Sequence, residues 1–317
     1  MKGLTPASLG VVLALCAYAA YSVADAMVKA LGGSLGVFEI GFFTTLFSII
    51  PAAFTKPRTE RWRDTFKLDN PWLVHLIAVM RTASAVLITY SFVTIPLAEA
   101  YCIVFLIPVF ITILSVLILR EEVSLRRWAL VIISFLGVLL VVRPGFRALE
   151  LGHLTALGCA LSAAVSSTAT RMISGKEKRT TLFVVPGLYT LALNGIMLLF
   201  GFIVPSLLTL AMLLACGILG GAGYLLQIAA LKRAEASRVA PMQYSQIVWA
   251  LIFGAVFFHV APDALGLVGL GIVVISGIAN IFSDGARTRI AGRWSEYRAR
   301  RARSGPSGFK GPGPDPV

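Results

Sequence analysis

Apolar runs of about 20 residues recur from one end of the chain to the other, and they strongly limit the fold. As a helix, each run is long enough to cross the hydrocarbon core of a bilayer, which is roughly 30 Å thick. Only 14% of the 317 residues are charged, against about 25% in soluble domains, so too little polar surface remains for a water-soluble protein. In lipid, every backbone polar group needs an internal partner, which an α-helix supplies. The sequence therefore predicts an all-α polytopic membrane protein.

Hydropathy divides the chain into ten predicted transmembrane helices. Pro96 sets the break between the third and the fourth, because proline lacks a backbone donor and clashes with the preceding helical turn. The ten spans are expected near residues 6–28, 35–55, 72–94, 97–119, 126–143, 151–173, 181–203, 206–229, 238–260 and 264–283.

The basic residues predict the orientation of these spans. Most of the 28 Lys and Arg residues fall in alternate loops and in the C-terminal tail, whereas the opposite loops hold only Arg143 and Arg147. Because cytoplasmic loops collect positive charge, both termini are predicted to be cytoplasmic, with the chain in a bacterial inner membrane. The net charge of +13 then reflects topology rather than binding of nucleic acid. The basic tail, residues 284–317, is expected to contact anionic lipid and to be partly disordered.

Two stretches share one layout, which predicts an internal repeat. The segments that begin at Tyr90 and at Ala229 each carry a short loop after a span, a long apolar span, a hydrophilic break and a final span. Each half, 6–143 or 151–283, then holds five spans, and this odd number inverts the second half relative to the first. Inverted repeats are typical of secondary transporters, whose substrate site lies between the halves near the middle of the membrane.

The pattern P-x(11)-R-E-E-V-S closes the fourth span, at Pro108–Ser124. With this pattern and the repeat, the chain resembles the drug/metabolite transporter superfamily, specifically its EamA-type members with five plus five spans. The resemblance extends from about Leu9 to Ser283. In the second copy Val260 and Ala261 replace the two acids, which favours a structural role for the acidic pair. The resemblance implies a secondary transporter that works by alternating access.

Three segments narrow the resemblance to the branch that contains S-adenosylmethionine uptake carriers. They read DAMVKALGGSLGVFEIGFF from Asp25, HLIAVMR from His75 and APMQYSQIVWA from Ala240. Riboflavin carriers share much of this layout. The predicted cargo is therefore an S-adenosylmethionine-like, zwitterionic or anionic metabolite, with riboflavin transport or the efflux of amino acids or drugs as the alternative.

Arg81 lies about nine residues into the third span, roughly 13 Å along a helix. A charge inside the bilayer is costly, so it is usually functional or paired. One hypothesis is that the guanidinium group faces a central cavity and binds a carboxylate or phosphate of the substrate. The other is a structural ion pair with Asp25 or Glu99. The sequence leaves both open.

The first span carries a polar stripe whose three- and four-residue spacings place it on one helical face. Such a stripe faces protein or water rather than lipid. Tyr21 is predicted to contact the substrate, and Asp25 to couple transport to a proton or another cation. The alternative is an ion pair between Asp25 and Lys29 at a wet helix end. The stripe consists of Tyr18, Tyr21, Ser22, Asp25 and Lys29.

The ninth span offers amide and aromatic side chains that can hydrogen-bond and stack against a planar ligand. Hydrogen bonds between helices would explain the same residues. Glu99, near the predicted outer surface, has either a structural role or one in coupling or gating. The candidates of the ninth span are Gln243, Tyr244, Gln246 and Trp249.

The segment GILGGAG, from Gly217 to Gly223, is the main cluster of small residues inside a span. Glycines allow either close packing of helices or bending during transport. Packing is the simpler explanation and is the one predicted.

Other functional classes find little support in the sequence. There is no HExxH motif, no intramembrane pair of aspartates and no P-loop, which disfavours an intramembrane enzyme or an ATP-driven pump. Rings of like polar residues, as in channels, are not evident. The four scattered cysteines predict neither a disulfide nor a metal site, and no cofactor is expected. The predicted partners are a small-molecule substrate, membrane lipid and, as an option, a second copy in a homodimer, but not nucleic acid.

Overall fold

The computed structural model of the protein describes residues 6–52, 65–120, 123–143, 149–173, 177–234 and 236–279. Within these ranges every regular element is helical, which confirms the predicted all-α fold. The tail from residue 284 and the acids Glu121 and Glu122 lie outside the described residues. The helices are α1 (Pro6–Leu31), α2 (Val37–Ala52), α3 (Pro71–Thr94), α4 (Leu97–Val104), α5 (Ile107–Leu117), α6 (Leu125–Val142), α7 (Leu151–Ile173), α8 (Arg179–Leu198), α9 (Leu207–Leu231), α10 (Ala236–Val239), a 3-10 segment (Ala240–Tyr244), α11 (Ser245–Phe257) and α12 (Ala264–Ala279).

The surface of the helical bundle is apolar, as a lipid-facing surface must be. Six of the described helical segments are long and apolar enough to cross a membrane, and three shorter apolar helices, α2, α6 and α12, accompany them. Ile132, Val248 and Ile275 are each more than half exposed, at 56%, 56% and 70%. Exposed apolar area on this scale suits contact with lipid tails rather than water. The protein is therefore a multi-pass membrane protein.

Two helix boundaries near prolines can be compared with the predicted spans. The chain turns between Thr94 and Leu97, where the sequence predicted a break. The seventh predicted span, in contrast, ends early: α8 stops at Leu198 instead of continuing to about residue 203. The residues that follow lead into Pro205, and the residue before a proline is held away from helical geometry.

Two predicted spans are discontinuous, which the sequence did not anticipate. The fourth is divided into α4 and α5, because the ring nitrogen of Pro108 cannot donate to the carbonyl of Val104. The ninth begins at the end of α10, continues through a 3-10 segment that contains Pro241 and becomes α-helical again at Ser245. The two breaks meet, with the rings of Phe105 and Tyr244 4.9 Å apart. Broken helices of this kind form the substrate sites of many transporters.

The two halves pack against each other through the same two helices of each half, the first and the third. The first helix of each half packs antiparallel against the third helix of the other, α1 on α9 and α3 on α7. In the first pair, the close contact at Gly10 is with Ala234 and the one at Tyr21 is with Gly223. The discontinuous fourth helices, α4 and α11, also pack against each other.

The fifth helices, α6 and α12, run antiparallel to each other. The hydroxyl groups of Ser134 and Ser276 are hydrogen-bonded at 2.7 Å. One turn away Gly137 faces Val273. Residue numbers therefore rise along α6 as those of its partners in α12 fall, which shows that the two helices are antiparallel.

Close packing explains three of the four glycines in the predicted small-residue cluster. A methyl group on Gly217 would lie 2.8 Å from the carbonyl oxygen of Thr44, and one on Gly221 would lie 3.0 Å from that of Ser48. A methyl group on Gly223 would come within 2.8 Å of the Tyr21 ring. These glycines bring α9 against α2 and α1, which confirms the predicted packing role.

Candidate functional site

The Asp25 carboxyl group lies at the contact between the two halves of the protein, and Tyr101 connects it to residues of both. The Tyr101 hydroxyl on α4 donates a hydrogen bond to the Asp25 carboxylate on α1. From the second half, Gln246 on α11 approaches the same hydroxyl at 3.5 Å. Asp25, Tyr101 and Gln246 are called the Asp25 layer below. Tyr101 is almost fully buried, which fixes the hydroxyl against its acceptor.

A second polar group lies next to the Asp25 layer, one helical turn along α1. The Gln227 side chain on α9 donates to the Tyr18 hydroxyl at 3.1 Å and accepts from the Tyr21 hydroxyl at 3.3 Å. Because α1 belongs to the first half and α9 to the second, this group also joins the halves. Tyr21, predicted to contact the substrate, therefore lies beside Asp25.

Aromatic rings line the same region in a continuous series. Phe92 contacts Tyr101 with ring centroids 5.4 Å apart, and Tyr101 stacks on Phe105 at 6.1 Å. Phe105 then contacts Tyr244 across the two helix breaks. The Tyr244 hydroxyl is buried against Gly277, where any larger residue would collide with it. Aromatic faces beside a carboxylate can recognise cationic and planar groups.

A cavity of about 210 Å³ lies one helical turn from the Asp25 layer. Three helices contribute to both: Lys29 is four residues after Asp25, Leu97 is four before Tyr101 and Ala250 is four after Gln246. One turn corresponds to about 5.4 Å along each helix. The Asp25 layer therefore lies next to this cavity, which we call the Lys29 cavity. Its walls include Lys29, Leu97, Glu99, Ala250, Phe258 and Pro262.

Glu99 joins the two halves at the Lys29 cavity. One of its carboxylate oxygens lies 3.0 Å from Nε2 of His153 at the start of α7. Nδ1 of His153 in turn accepts a hydrogen bond from the backbone NH of Glu150 at 3.1 Å. A carboxylate–histidine contact between halves fits either alternative for Glu99, a structural link or a gate.

Arg81 lies outside the Asp25 layer. Its guanidinium group is exposed and donates to the carbonyl oxygen of Leu182 on α8 at 3.1 Å. The acids proposed as its partners have other contacts, Asp25 with Tyr101 and Glu99 with His153. The structure therefore places Arg81 at the seam between α3 and α8.

The remaining predicted residues divide between two faces of the ninth span. Tyr244 and Gln246 point into the site, and Gln243 is their neighbour in the 3-10 segment. Trp249 instead stacks on Phe253, with centroids 5.8 Å apart, and lines no part of the Lys29 cavity. The alternative ion pair of Asp25 with Lys29 is replaced by other contacts, because Lys29 donates to two backbone carbonyls.

Sequence reasoning missed Tyr101 and Phe105, two central members of the site. Their four-residue spacing in an otherwise aliphatic span was the available signal, since it places both rings on one helical face. The hydrogen bond of Tyr101 to Asp25 depends on how α4 lies against α1, which no local pattern reports.

Comparison with known proteins yields relatives that cover most of the chain. An S-adenosylmethionine uptake transporter of Rickettsia bellii is 26% identical over 278 residues, which is 87% of this chain and 94% of the relative. The pseudopaline exporter CntI of Pseudomonas aeruginosa is 29% identical over 85% of this chain and 95% of its own. A riboflavin transporter of Rhizobium johnstonii is 27% identical over 69% of this chain and 73% of its own.

The overall fold also has a counterpart among solved structures. One crystal structure superimposes with a TM-score of 0.61 at 19% sequence identity, covering 89% of this chain and 99% of the other, which shows a shared fold alone. The sequence profile of the EamA-like transporter family matches twice, over residues 8–143 and 150–282. These matches confirm the resemblance seen in the sequence, and the chain belongs to the EamA-like transporter family.

Proposed function

We propose that the protein is a secondary transporter that moves an S-adenosylmethionine-like zwitterion across a bacterial inner membrane by alternating access. Family membership makes it a transporter rather than an enzyme, and its relatives are named for small metabolites. The observation that carries the finer proposal is the Asp25 layer, a carboxylate held among aromatic rings between the two halves. Such a site can bind a cationic centre, for example a sulfonium or an ammonium group.

The cationic part of the substrate is proposed to replace Tyr101 as the partner of Asp25. A charge in this layer is costly without a counter-charge, which favours a cation over a neutral solute. Tyr21, Phe105 and Tyr244 would contact the planar part of the substrate. Gln243 and Trp249 remain candidates for contact with the substrate in a conformation in which the halves have moved and the binding site is larger.

Alternating access would separate the halves in turn on the two sides of the Asp25 layer. On one side Glu99 and His153 form the contact between halves, so we assign Glu99 to the gate. On the other side α3 meets α8, where Arg81 and Thr82 contact Leu182 and Thr190. Each seam includes polar contacts that water can replace, although the seam of α3 with α8 also contains buried apolar side chains, among them Ile77 and Val185.

Ten spans with both termini in the cytoplasm are part of the proposal. The antiparallel pairing of α1 with α9 and of α6 with α12 agrees with ten alternating spans. The positive charge of alternate loops supports the orientation. Green fluorescent protein fused after Val317 is expected to fluoresce, as it does only in the cytoplasm, whereas alkaline phosphatase there is expected to be inactive. The opposite pair of results would refute the orientation.

The function is tested by counterflow in proteoliposomes that hold the purified protein and an unlabelled solute. The panel contains S-adenosylmethionine, riboflavin, amino acids, carnitine esters and nucleosides, with protein-free vesicles as the control. Labelled S-adenosylmethionine is expected to accumulate transiently when the same compound is inside. Accumulation of riboflavin but not of S-adenosylmethionine would assign the alternative substrate, and no accumulation of any solute would contradict the proposal.

A further inference from the structure

The Lys29 cavity contains a cation that the central site does not use. Lys29 Nζ donates to the carbonyl oxygens of Phe92 at 3.2 Å and Ile95 at 2.7 Å, and it lies 5.4 Å from the centre of the Phe258 ring. An ammonium group has three donors. Two are directed to the end of α3, and Lys29 also lines the cavity, so one donor remains for a ligand as far as the described residues are concerned.

The rest of the cavity wall is largely apolar and is shaped by a folded-back loop. Val260 donates from its backbone to the carbonyl oxygen of Gly254 at 2.9 Å, which brings residues 258–262 over α11. His259 adopts a left-handed backbone conformation in this turn, and Gly254 leaves room for it. An apolar wall lowers the local polarity, which strengthens the attraction between Lys29 and an anion.

Glu99 restricts the charge of that anion. Its carboxylate, already in contact with His153, lines the same cavity as Lys29. A dianion would be repelled by Glu99 and by Glu150, whose carboxylates both interact with the charge of Lys29. A carboxylate that carries a neighbouring ammonium group places a positive charge near these acids as well as a negative charge near Lys29. The volume of about 210 Å³ is below the roughly 300 Å³ at which pockets begin to enclose drug-sized ligands, so the cavity holds only one end of a metabolite.

We propose that the Lys29 cavity is a binding subsite for the α-amino-carboxylate end of the substrate, with Lys29 binding the carboxylate. This inference rests on the proposed function and extends it to a second point of contact. Because the Asp25 layer lies one helical turn away, a single extended zwitterion reaches both sites. The pair then selects solutes with a carboxylate at one end and a cationic centre further along.

The test compares uptake of S-adenosylmethionine with that of its decarboxylated analogue, which keeps the sulfonium and the amine. In the unmodified protein the analogue is expected to have a KM about tenfold higher, as for loss of one charge-assisted hydrogen bond. Lys29→Met is expected to raise the KM for S-adenosylmethionine by about the same factor and to leave that of the analogue unchanged. Lys29→Arg is expected to preserve the preference.

The outcomes separate this inference from the function on which it rests. If Lys29 only stabilises the end of α3, its replacement changes both KM values equally, and the subsite is refuted. Equal KM values for the two compounds in the unmodified protein refute it as well, without any variant. If the unmodified protein carries neither compound, the proposed function fails, and the inference fails with it.

Discussion

Replacing Asp25 with asparagine is expected to lower S-adenosylmethionine uptake by about ten- to a hundredfold, because the carboxylate is the counter-charge for the substrate. Asparagine keeps the size of the side chain and can still hydrogen-bond to Tyr101, so the fold should survive. Initial uptake rates in proteoliposomes measure the effect, with thermal unfolding of the same preparations as the check on folding. A rate within twofold of the parent would remove Asp25 from the site.

Three further variants show whether this loss is specific. Asp25→Glu retains the charge but displaces it, and is expected to keep part of the activity. Tyr101→Phe removes the hydrogen bond to Asp25, and should change KM more than the maximal rate. Arg81→Gln alters a charge outside the Asp25 layer, and is expected to leave KM within about threefold, since its guanidinium group is bonded to the Leu182 carbonyl on α8 and not to a group of that layer. A larger loss with Arg81→Gln than with Asp25→Asn would instead favour the anion site first predicted for Arg81.

Gly217→Leu is expected to destabilise the protein through overpacking between α9 and α2. Even a methyl group there would lie 2.6 Å from Cβ of Phe47 and 2.8 Å from the carbonyl oxygen of Thr44, so α2 must move. Overpacking of this kind typically costs about 1–3 kcal/mol, and more where backbone has to shift. We expect a lower unfolding temperature in detergent and a lower yield of monodisperse protein.

Gly220 supplies the matched control for this prediction. It lies in the same helix three residues away, and no atom of the described residues lies within 4 Å of its added Cβ. Gly220→Leu is therefore expected to leave the unfolding temperature unchanged or slightly raised, because leucine favours helix more than glycine does. Equal destabilisation by the two variants would show that flexibility of α9, rather than contact with α2, requires the glycines.

Much of the fold was predictable because short segments of the sequence determine where most of the helices lie. Long apolar runs and Pro96 report the lengths of the helices and one of the breaks between them without knowledge of contacts. The early end of α8 and the discontinuous spans were missed. Pro108 and Pro241 were visible in the sequence, but a proline inside a span is compatible with either a kink or a break, and packing decides between them.

The candidate site was only partly predictable. Asp25 and Tyr21 stood out because polar groups are rare in lipid, and the structure places them beside each other. Arg81 stood out for the same reason but is bonded to α8, because depth in the membrane does not specify which way a side chain faces. The carbonyl partners of Lys29 could not be predicted from the sequence. The last carbonyls of α3 lack helical partners, and their position next to Lys29 depends on how α3 packs against α1.

The most direct test of the central claim is counterflow of labelled S-adenosylmethionine in vesicles that contain the parent protein or its Asp25→Asn variant. Transient accumulation with the parent and its loss in a folded Asp25→Asn protein are the predicted results, because they require both a carrier that exchanges its substrate and the central carboxylate. Counterflow that persists at the parental rate without the carboxylate would contradict the site, and its absence from the parent would contradict the function.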